Sequence, residues 1–237
     1  MTKKILVIGA HSADFVWRAA GTIAVTTSQG GQASVIALSY GERGESGELW
    51  KEPNQTVENV KRIRHEEAVA AAKAVGAEFR CLDLGDYPLN MTDAAIDQLI
   101  GIFQDFQPNI VLTHNPVDPF NPDHPVASQM VQKARLLSTG AGVASAFSRI
   151  IPPELYFFEP HQPELCDFKP NVFVDITSVM DMKTRAMDAM KAQSYLLKYY
   201  SELATRRANH ARRISGNADI KFAEAHIRAL PWVVASL

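Results

Sequence analysis

Short apolar runs alternate with longer amphipathic segments through the first half of the chain. Continuous hydrophobicity of the kind found in strands buried on both faces occurs at KKILVIGA (3–10), QASVIALSY (32–40), EFRCLDL (78–84) and NIVLTH (109–114). Helical patterns lie between these runs, at 15–31, 57–77 and 92–106. This alternation predicts right-handed βαβ units and a parallel sheet.

The second half continues the pattern less regularly. A proline-rich loop, NPVDPFNPDHP (115–125), precedes a helix expected from about Val126. Two later strands are expected in ELYFFEP (154–160) and VFVDIT (172–177), and residues 179–211 read as mostly helical. The predicted fold class is α/β and Rossmann-like, a mainly parallel sheet with helices on both faces, and residues 1–237 are expected to form a single domain.

Composition narrows the class of protein without indicating its chemistry. The chain has 237 residues, 46% of them hydrophobic, and a formal net charge of −2. Cys81 and Cys166 form neither a disulfide framework nor a CxxC metal motif, so a cytoplasmic location is expected. The balanced charge argues against nucleic-acid binding, and no apolar stretch reaches the roughly 20 residues of a membrane span. We expect a small-molecule substrate and a homo-oligomer.

Polar segments follow each of the four predicted strands of the first half. They are HSAD (11–14), GERGESGE (41–48), LGDYP (84–88) and THNPVDPFNPDH (113–124). Ligand sites of open α/β sheets lie beyond the carboxyl ends of the strands. These four segments are therefore expected to line one crevice.

Two of these segments carry residues that suit a metal ion. His11 and Asp14 lie three residues apart where a strand gives way to a helix, and His124 follows another strand at the start of a helix. Two imidazoles and one carboxylate, with positions left for water, are typical of catalytic zinc, although non-haem iron uses the same triad. The alternative interpretation of Asp14 is a helix cap.

The motifs GAHSADF (9–15) and THNPVDPFNPDH (113–124) resemble those of the PIG-L/LmbE family of zinc-dependent N-deacetylases. Further similarity is found at 64–77, 172–177, 191–194 and 222–226. The resemblance implies a Rossmann-like fold and a bound Zn²⁺ held by His11, Asp14 and His124.

Two positions depart from the pattern of the deacetylases. Where the family has an aspartate that serves as general base, this chain has Ala13, and where the family has a histidine that stabilises the intermediate, it has Asn121. A methyl group cannot accept a proton, and an amide donates a hydrogen bond but does not titrate near neutrality. Either the protein has no enzymatic activity, or the same metal site supports different chemistry with another base and with Asn121 as a hydrogen-bond donor.

The loop GERGESGELW (41–50) offers substitutes for the missing base. Glu45 and Glu48 are its distinctive carboxylates, and Glu48 is preferred because the apolar Leu49 and Trp50 that follow could desolvate it and raise its pKa. Glu45 is the second choice. The alternative is a solvated acidic loop without a catalytic role.

The segments at 9–18 and 41–50 resemble a hydratase branch of the family. This resemblance implies addition of water to 4-oxalomesaconate (4-carboxy-2-hydroxymuconate), giving 4-carboxy-4-hydroxy-2-oxoadipate in gallate and protocatechuate degradation. A tricarboxylate calls for guanidinium partners, for which Arg43 and Arg64 are preferred over Arg18. His161, in another proline-rich segment, is a further candidate for substrate contact.

Two other functions stay open at this stage. One is a zinc-dependent N-deacetylase of a sugar or small amide that uses Glu48 as its base, and the other is a binding protein that keeps the metal pocket as a receptor for a small acid. A dinucleotide-binding protein is disfavoured, because the first strand is followed by His11 and Asp14 and not by the glycines that admit a pyrophosphate.

Overall fold

The computed structural model describes residues 2–143, 147–234 and 236. Seven strands form one sheet in the order β3-β2-β1-β4-β5-β7-β6. The strands are β1 (Lys4–Gly9), β2 (Gln32–Ala37), β3 (Glu78–Cys81), β4 (Ile110–His114), β5 (Glu154–Phe158), β6 (Val172–Asp175) and β7 (Ala223–Arg228). The α-helices are α1 (Asp14–Ser28), α2 (Val57–Ala74), α3 (Asp93–Phe106), α4 (Asp123–Leu137), α5 (Met180–Ala189) and α6 (Leu197–Ser215).

Strands β1 to β5 are parallel, and β7 runs antiparallel to both β5 and β6. The predicted fold class, a mainly parallel α/β sheet, is confirmed. Strand β7 was not predicted, because its sequence AEAHIR places three ionisable side chains, Glu224, His226 and Arg228, among apolar ones. Glu224 and His226 are nevertheless buried and hydrogen-bonded within the structure, so hydrophobicity does not mark this strand.

Strand β1 contributes side chains to two hydrophobic cores. Ile5 and Val7 of β1 pack into one core beside helices α1, α2, α5 and α6, whereas Leu6 and Ile8 pack into the other beside α3 and α4. Successive side chains of a strand point to opposite faces, so the uninterrupted apolar run of β1 fills both layers. Among the described residues, no helix combines the length and hydrophobicity that crossing a membrane requires.

The first residues of the helices agree in part with those predicted from the sequence. Thr92 caps α3, its hydroxyl accepting a hydrogen bond from the backbone N–H of Ala95. Asp14 is not a cap: it is the first residue of α1, and Ala13 occupies the capping position without a side-chain bond. Helix α4 begins at Asp123, three residues before the expected start at Val126, which brings His124 into its first turn.

A buried ion pair joins α5 and β7 to the middle of α1. The Lys183 ammonium lies 2.5 Å from Glu224 Oε1, and the Glu224 carboxylate accepts hydrogen bonds from the backbone N–H groups of Gly21 and Thr22. The Thr22 hydroxyl in turn lies 2.8 Å from His226 Nε2. Burial lowers the pKa of His226 to about 4, so the folded protein holds this imidazole neutral.

His226 therefore makes stability depend on pH. As the pH falls from about 6.5 to about 4, the unfolded chain gains a proton on His226 before the folded protein does, which should remove about 3 kcal/mol of unfolding free energy. Denaturant unfolding of the metal-free protein and of His226→Gln across this range measures the contribution. We expect the stability of the variant to depend less steeply on pH; equal slopes would contradict the assignment.

The order of the strands in the sheet determines where the predicted ligand crevice lies. Strand β1 pairs with β2 on one side and β4 on the other, and the chain winds away from β1 in both directions. The carboxyl ends of β1 and β4 thus flank the topological switch point, where open α/β sheets bind ligands. His11 and Asp14 follow β1, and His114 is the last residue of β4.

Candidate metal centre

Four side chains meet at the switch point. They are His11, Asp14, Glu45 and His124, and one ligand atom from each lies within 4.8 Å of those of the others. His11 Nδ1 is 3.2 Å from Glu45 Oε1 and 3.6 Å from Asp14 Oδ2. His124 Nε2 is 3.6 Å from both Asp14 Oδ1 and Glu45 Oε1. The structure thus brings the three predicted ligands together.

The arrangement fits a metal ion. His11 Nδ1 and His124 Nε2 are buried, have no hydrogen-bond partner among the described residues, and face the same point. Buried polar nitrogens are rarely left unpaired, so these two atoms are arranged to receive a further group. Two imidazole nitrogens and a carboxylate oxygen form a donor set suited to a divalent transition metal.

The other nitrogen of each imidazole is held by carboxylates. His124 Nδ1 lies 2.7 Å from Asp118 Oδ2, and His11 Nε2 lies 3.2 Å from Asp86 Oδ1 and 3.4 Å from Asp123 Oδ2. Carboxylates in such positions orient metal-binding rings and fix their tautomers. Asp118 also accepts a hydrogen bond from the Phe120 N–H through its other oxygen, which fixes the carboxylate beside His124.

Asp14 is held as a carboxylate. Its oxygens accept a hydrogen bond from the backbone N–H of His11 at 2.7 Å and from Arg18 Nη1 at 2.5 Å, and His114 Nε2 lies 2.9 Å away. Burial acts to raise the pKa of Asp14, but His114, His124 and Arg18 outweigh it and hold the pKa well below its usual value. Asp14 is therefore ionised at neutral pH.

Negative charge surrounds His11. Burial alone would lower its pKa, but the carboxylates of Glu45, Asp123, Asp14 and Asp86 raise the pKa well above its usual value. In contrast, burial and the neighbouring His124 lower the pKa of His114 to about 3, so this stacked ring stays neutral. The carboxylates thus favour a cation at the position that His11 faces.

The structure places Glu45, and not Glu48, at the centre. Glu45 Oε1 accepts a hydrogen bond from Asn121 Nδ2 at 3.1 Å and lies beside both imidazoles. Glu48 is exposed and pairs with Lys51 at 2.7 Å. Trp50 does not desolvate Glu48, because its indole N–H is bonded to the backbone carbonyl of Glu42. Glu48, the preferred candidate for the base, therefore lies away from the cluster, and Glu45, the second candidate, lies within it.

A cleft of about 270 Å³ opens onto this cluster. It is lined by Glu45, Asn121 and His124 and also by Trp17, Arg18, Gly44, Tyr87, Asp118, Phe120, His161, Gln162, Gln193, Tyr195, Leu196 and Tyr200. His161 lies on its wall, with Nδ1 3.4 Å from the hydroxyl of Tyr200, and its contact with the substrate stays a prediction.

The guanidinium in the cleft is that of Arg18, not that of Arg43 or Arg64. Arg64 is fully buried and donates hydrogen bonds to Glu67 and Gln193, so it cannot reach a substrate directly. Arg43 turns its backbone N–H inward and its side chain is exposed. The expectation for Arg64 is corrected, because its burial within α2 cannot be read from the sequence, whereas substrate contact by the exposed Arg43 stays a prediction.

The comparisons with known proteins bear on this geometry. The model of the PIG-L family, described as GlcNAc-PI de-N-acetylase, matches residues 6–135. The chain is 42% identical over 99% of its length, and 92% of the relative's, to 4-oxalmesaconate hydratase of Pseudomonas putida.

The chain belongs to the PIG-L family.

Within the PIG-L family, this chain is more similar to the hydratase than to the deacetylase compared below. The crystal structure of the 4-carboxy-2-hydroxymuconate hydratase of P. putida superposes with a TM-score of 0.96 and 41% identity, covering 100% of both chains. Diacetylchitobiose deacetylase of Thermococcus kodakarensis is 29% identical, over 81% of this chain and 70% of its own length. The deacetylases are therefore more distant relatives than the hydratase.

Residues that the PIG-L motifs do not mark complete the site. Asp86, Gln193 and Tyr200 were not singled out from the sequence, although Gln193 lies within the similar segment at 191–194. Ala13, which replaces the family's base, is fully buried in the core beside α1. Tyr200 had no signal in the sequence, because its place in the cleft depends on packing between distant segments, whereas Asp86 lies in LGDYP (84–88), a segment that the sequence placed at the crevice.

Proposed function

We propose that this protein is a metal-dependent hydratase that adds water to a carbon–carbon double bond of 4-oxalomesaconate (4-carboxy-2-hydroxymuconate), giving 4-carboxy-4-hydroxy-2-oxoadipate. One observation carries the proposal: where the deacetylase base is replaced by Ala13, the carboxylate of Glu45 enters the same cluster from a different loop. The similarity to the P. putida hydratase supports this substrate.

The resident ion in this proposal is Zn²⁺, held by His11, Asp14 and His124. The donor set and the two unpaired ring nitrogens support it. When bound, the ion supplies a Lewis acid that polarises oxygen and lowers the pKa of water. Ionised Asp14 and the carboxylate-oriented imidazoles need no rearrangement of their partners to serve as ligands.

Glu45 is the base in this proposal. Burial acts to raise its pKa, but the neighbouring His11 and His124 outweigh it and hold the pKa well below its usual value, so the group is a carboxylate at neutral pH. The hydrogen bond from Asn121 Nδ2 fixes its direction. The proton that Glu45 takes from water balances the one that the carbon next to the new C–O bond gains.

In this proposal the substrate carboxylates bind to polar side chains that line the cleft. Arg18 provides a fixed positive charge there, anchored by its ion pair with Asp14. His161 and Gln193 add hydrogen-bonding groups, and Gln193 is itself held by Arg64 and Trp17. Charged and amide groups fixed by their neighbours bind an anionic substrate without a cost of reorganisation.

A spectrophotometric assay of the purified protein tests the function. We expect turnover of the unsaturated tricarboxylate, loss of turnover after chelation, and recovery on adding Zn²⁺, with elemental analysis reporting the metal bound. Absence of turnover with the metal loaded would favour a receptor for small acids. Release of acetate from diacetylchitobiose without hydration of the tricarboxylate would favour a deacetylase instead.

Location in the cytoplasm and assembly as a homo-oligomer stay predictions from the sequence.

A further inference from the structure

One buried carboxylate beside the site contacts more than the ring of His11. Asp86 lies in the loop between β3 and α3, and its side chain is fully shielded from solvent. A buried carboxylate is costly unless its oxygens are paired. Among the described residues, Oδ2 is hydrogen-bonded, whereas Oδ1 has no hydrogen-bond partner and lies against the ring of His11.

One oxygen of Asp86 holds the loop that carries the base. Oδ2 accepts hydrogen bonds from the backbone N–H groups of Arg43 at 2.6 Å and Gly44 at 3.0 Å. These are the two residues that precede Glu45. The direction in which the Glu45 side chain leaves the loop therefore depends on the position of Asp86.

The other oxygen faces a predicted metal ligand. Oδ1 lies 3.2 Å from His11 Nε2, and the opposite ring nitrogen, Nδ1, lies 3.2 Å from Glu45 Oε1. Asp86 and Glu45 thus flank the same imidazole. A single carboxylate contacts both the backbone before Glu45 and the ring that Glu45 touches.

The residue after Asp86 secures the same loop by packing. A Cβ atom on Gly44 would lie 2.2 Å from the ring of Tyr87, so only glycine allows this contact without movement. The Tyr87 N–H donates to Asp123 Oδ2 at 2.9 Å, which ties the loop to the residue before His124. The β3–α3 loop therefore joins the base and both histidines.

We propose that Asp86 is a positioning residue that holds Glu45 and His11 in their catalytic arrangement; the proposal rests on the hydratase function above. In this chain the base comes from a loop with several glycines, whereas Asp14 and His124 stand on helices. A loop needs an added restraint, because a displacement of about 1 Å can reduce a rate about 100-fold.

Two substitutions separate the contacts of Asp86. Asp86→Asn keeps the shape and an oxygen for the two backbone N–H groups but removes the charge beside His11, whereas Asp86→Ala removes both. We expect kcat to fall about tenfold in Asp86→Asn and about 100-fold in Asp86→Ala, with KM changed less than about twofold. The matched control is Asp83→Asn, an exposed position of the same loop that pairs with Lys61, which should leave kcat unchanged.

A double substitution tests positioning against general destabilisation. If Asp86 acts through the base, then removing it from a Glu45→Gln protein should cost much less than removing it from the parent. Equal losses in the two backgrounds, or a kcat in Asp86→Ala equal to that of Asp83→Asn, would overturn the proposal.

Amide hydrogen exchange in the metal-free protein gives a readout that does not depend on activity. The Arg43 and Gly44 N–H groups should exchange faster in Asp86→Ala than in the parent or in Asp83→Asn. Unchanged exchange would overturn the proposal even if turnover fell.

If Asp86→Ala does not fold, the proposal is tested by the kcat of Asp86→Asn and by the combination of Asp86→Asn with Glu45→Gln. Absence of hydration by the parent would refute the proposed function, while the exchange measurement would still test the restraint.

Discussion

Glu45→Gln is expected to lower kcat for hydration by about 10³-fold while the protein keeps its metal. Glutamine has the shape of glutamate and can still accept the hydrogen bond from Asn121, but it cannot take a proton from water. Steady-state kinetics with elemental analysis of the same preparation measures both effects. Loss of the metal together with activity would make Glu45 a ligand and not the base.

Glu48→Gln is the matched control for this prediction. Its carboxylate is exposed and pairs with Lys51, so we expect kcat within about twofold of the parent value. The two glutamates lie three residues apart in one loop, and both variants carry the same Glu→Gln change. A difference in kcat between them therefore reports the position of the carboxylate. A larger loss in Glu48→Gln than in Glu45→Gln would reverse the assignment.

His11→Ala is expected to abolish both metal binding and turnover. The substitution removes one of the two unpaired ring nitrogens and leaves the carboxylates of Asp14, Glu45, Asp86 and Asp123 without their shared partner. We expect an apparent metal affinity lower by about 100-fold or more, measured by titration of the metal-free protein. His65→Ala, at an exposed histidine of α2, is the control and should bind metal normally.

The pH dependence of metal binding tests the same residue. The surrounding carboxylates raise the pKa of His11 well above its usual value, so the metal-free protein carries a proton there at neutral pH. A metal must displace that proton, so we expect the apparent metal affinity to fall as the pH is lowered, with a proton released on binding.

For the substitution itself, full metal occupancy of His11→Ala would contradict the predicted ligand set.

Local patterns were sufficient for the framework of this fold. The continuous apolar runs mark β1, β2 and β4, because parallel strands are buried on both faces. Such runs can be recognised from the residue types alone. They did not mark β7, whose buried Glu224 and His226 are compatible with the core only because Lys183 and Thr22 bond to them. Those partners come from segments far away along the chain.

The sequence by itself determined the parallel strands of the sheet, the edge at which the site lies, and the grouping of His11, Asp14 and His124, because strand ends and short spacings fix where such residues emerge. Only the tertiary structure decided that Glu45 and Arg18 enter the cleft while Glu48 and Arg64 do not. The apolar neighbours of Glu48 favoured it in the sequence, whereas the hydrogen bonds from the Arg43 and Gly44 N–H groups to Asp86, just before Glu45, join segments that no local pattern connects.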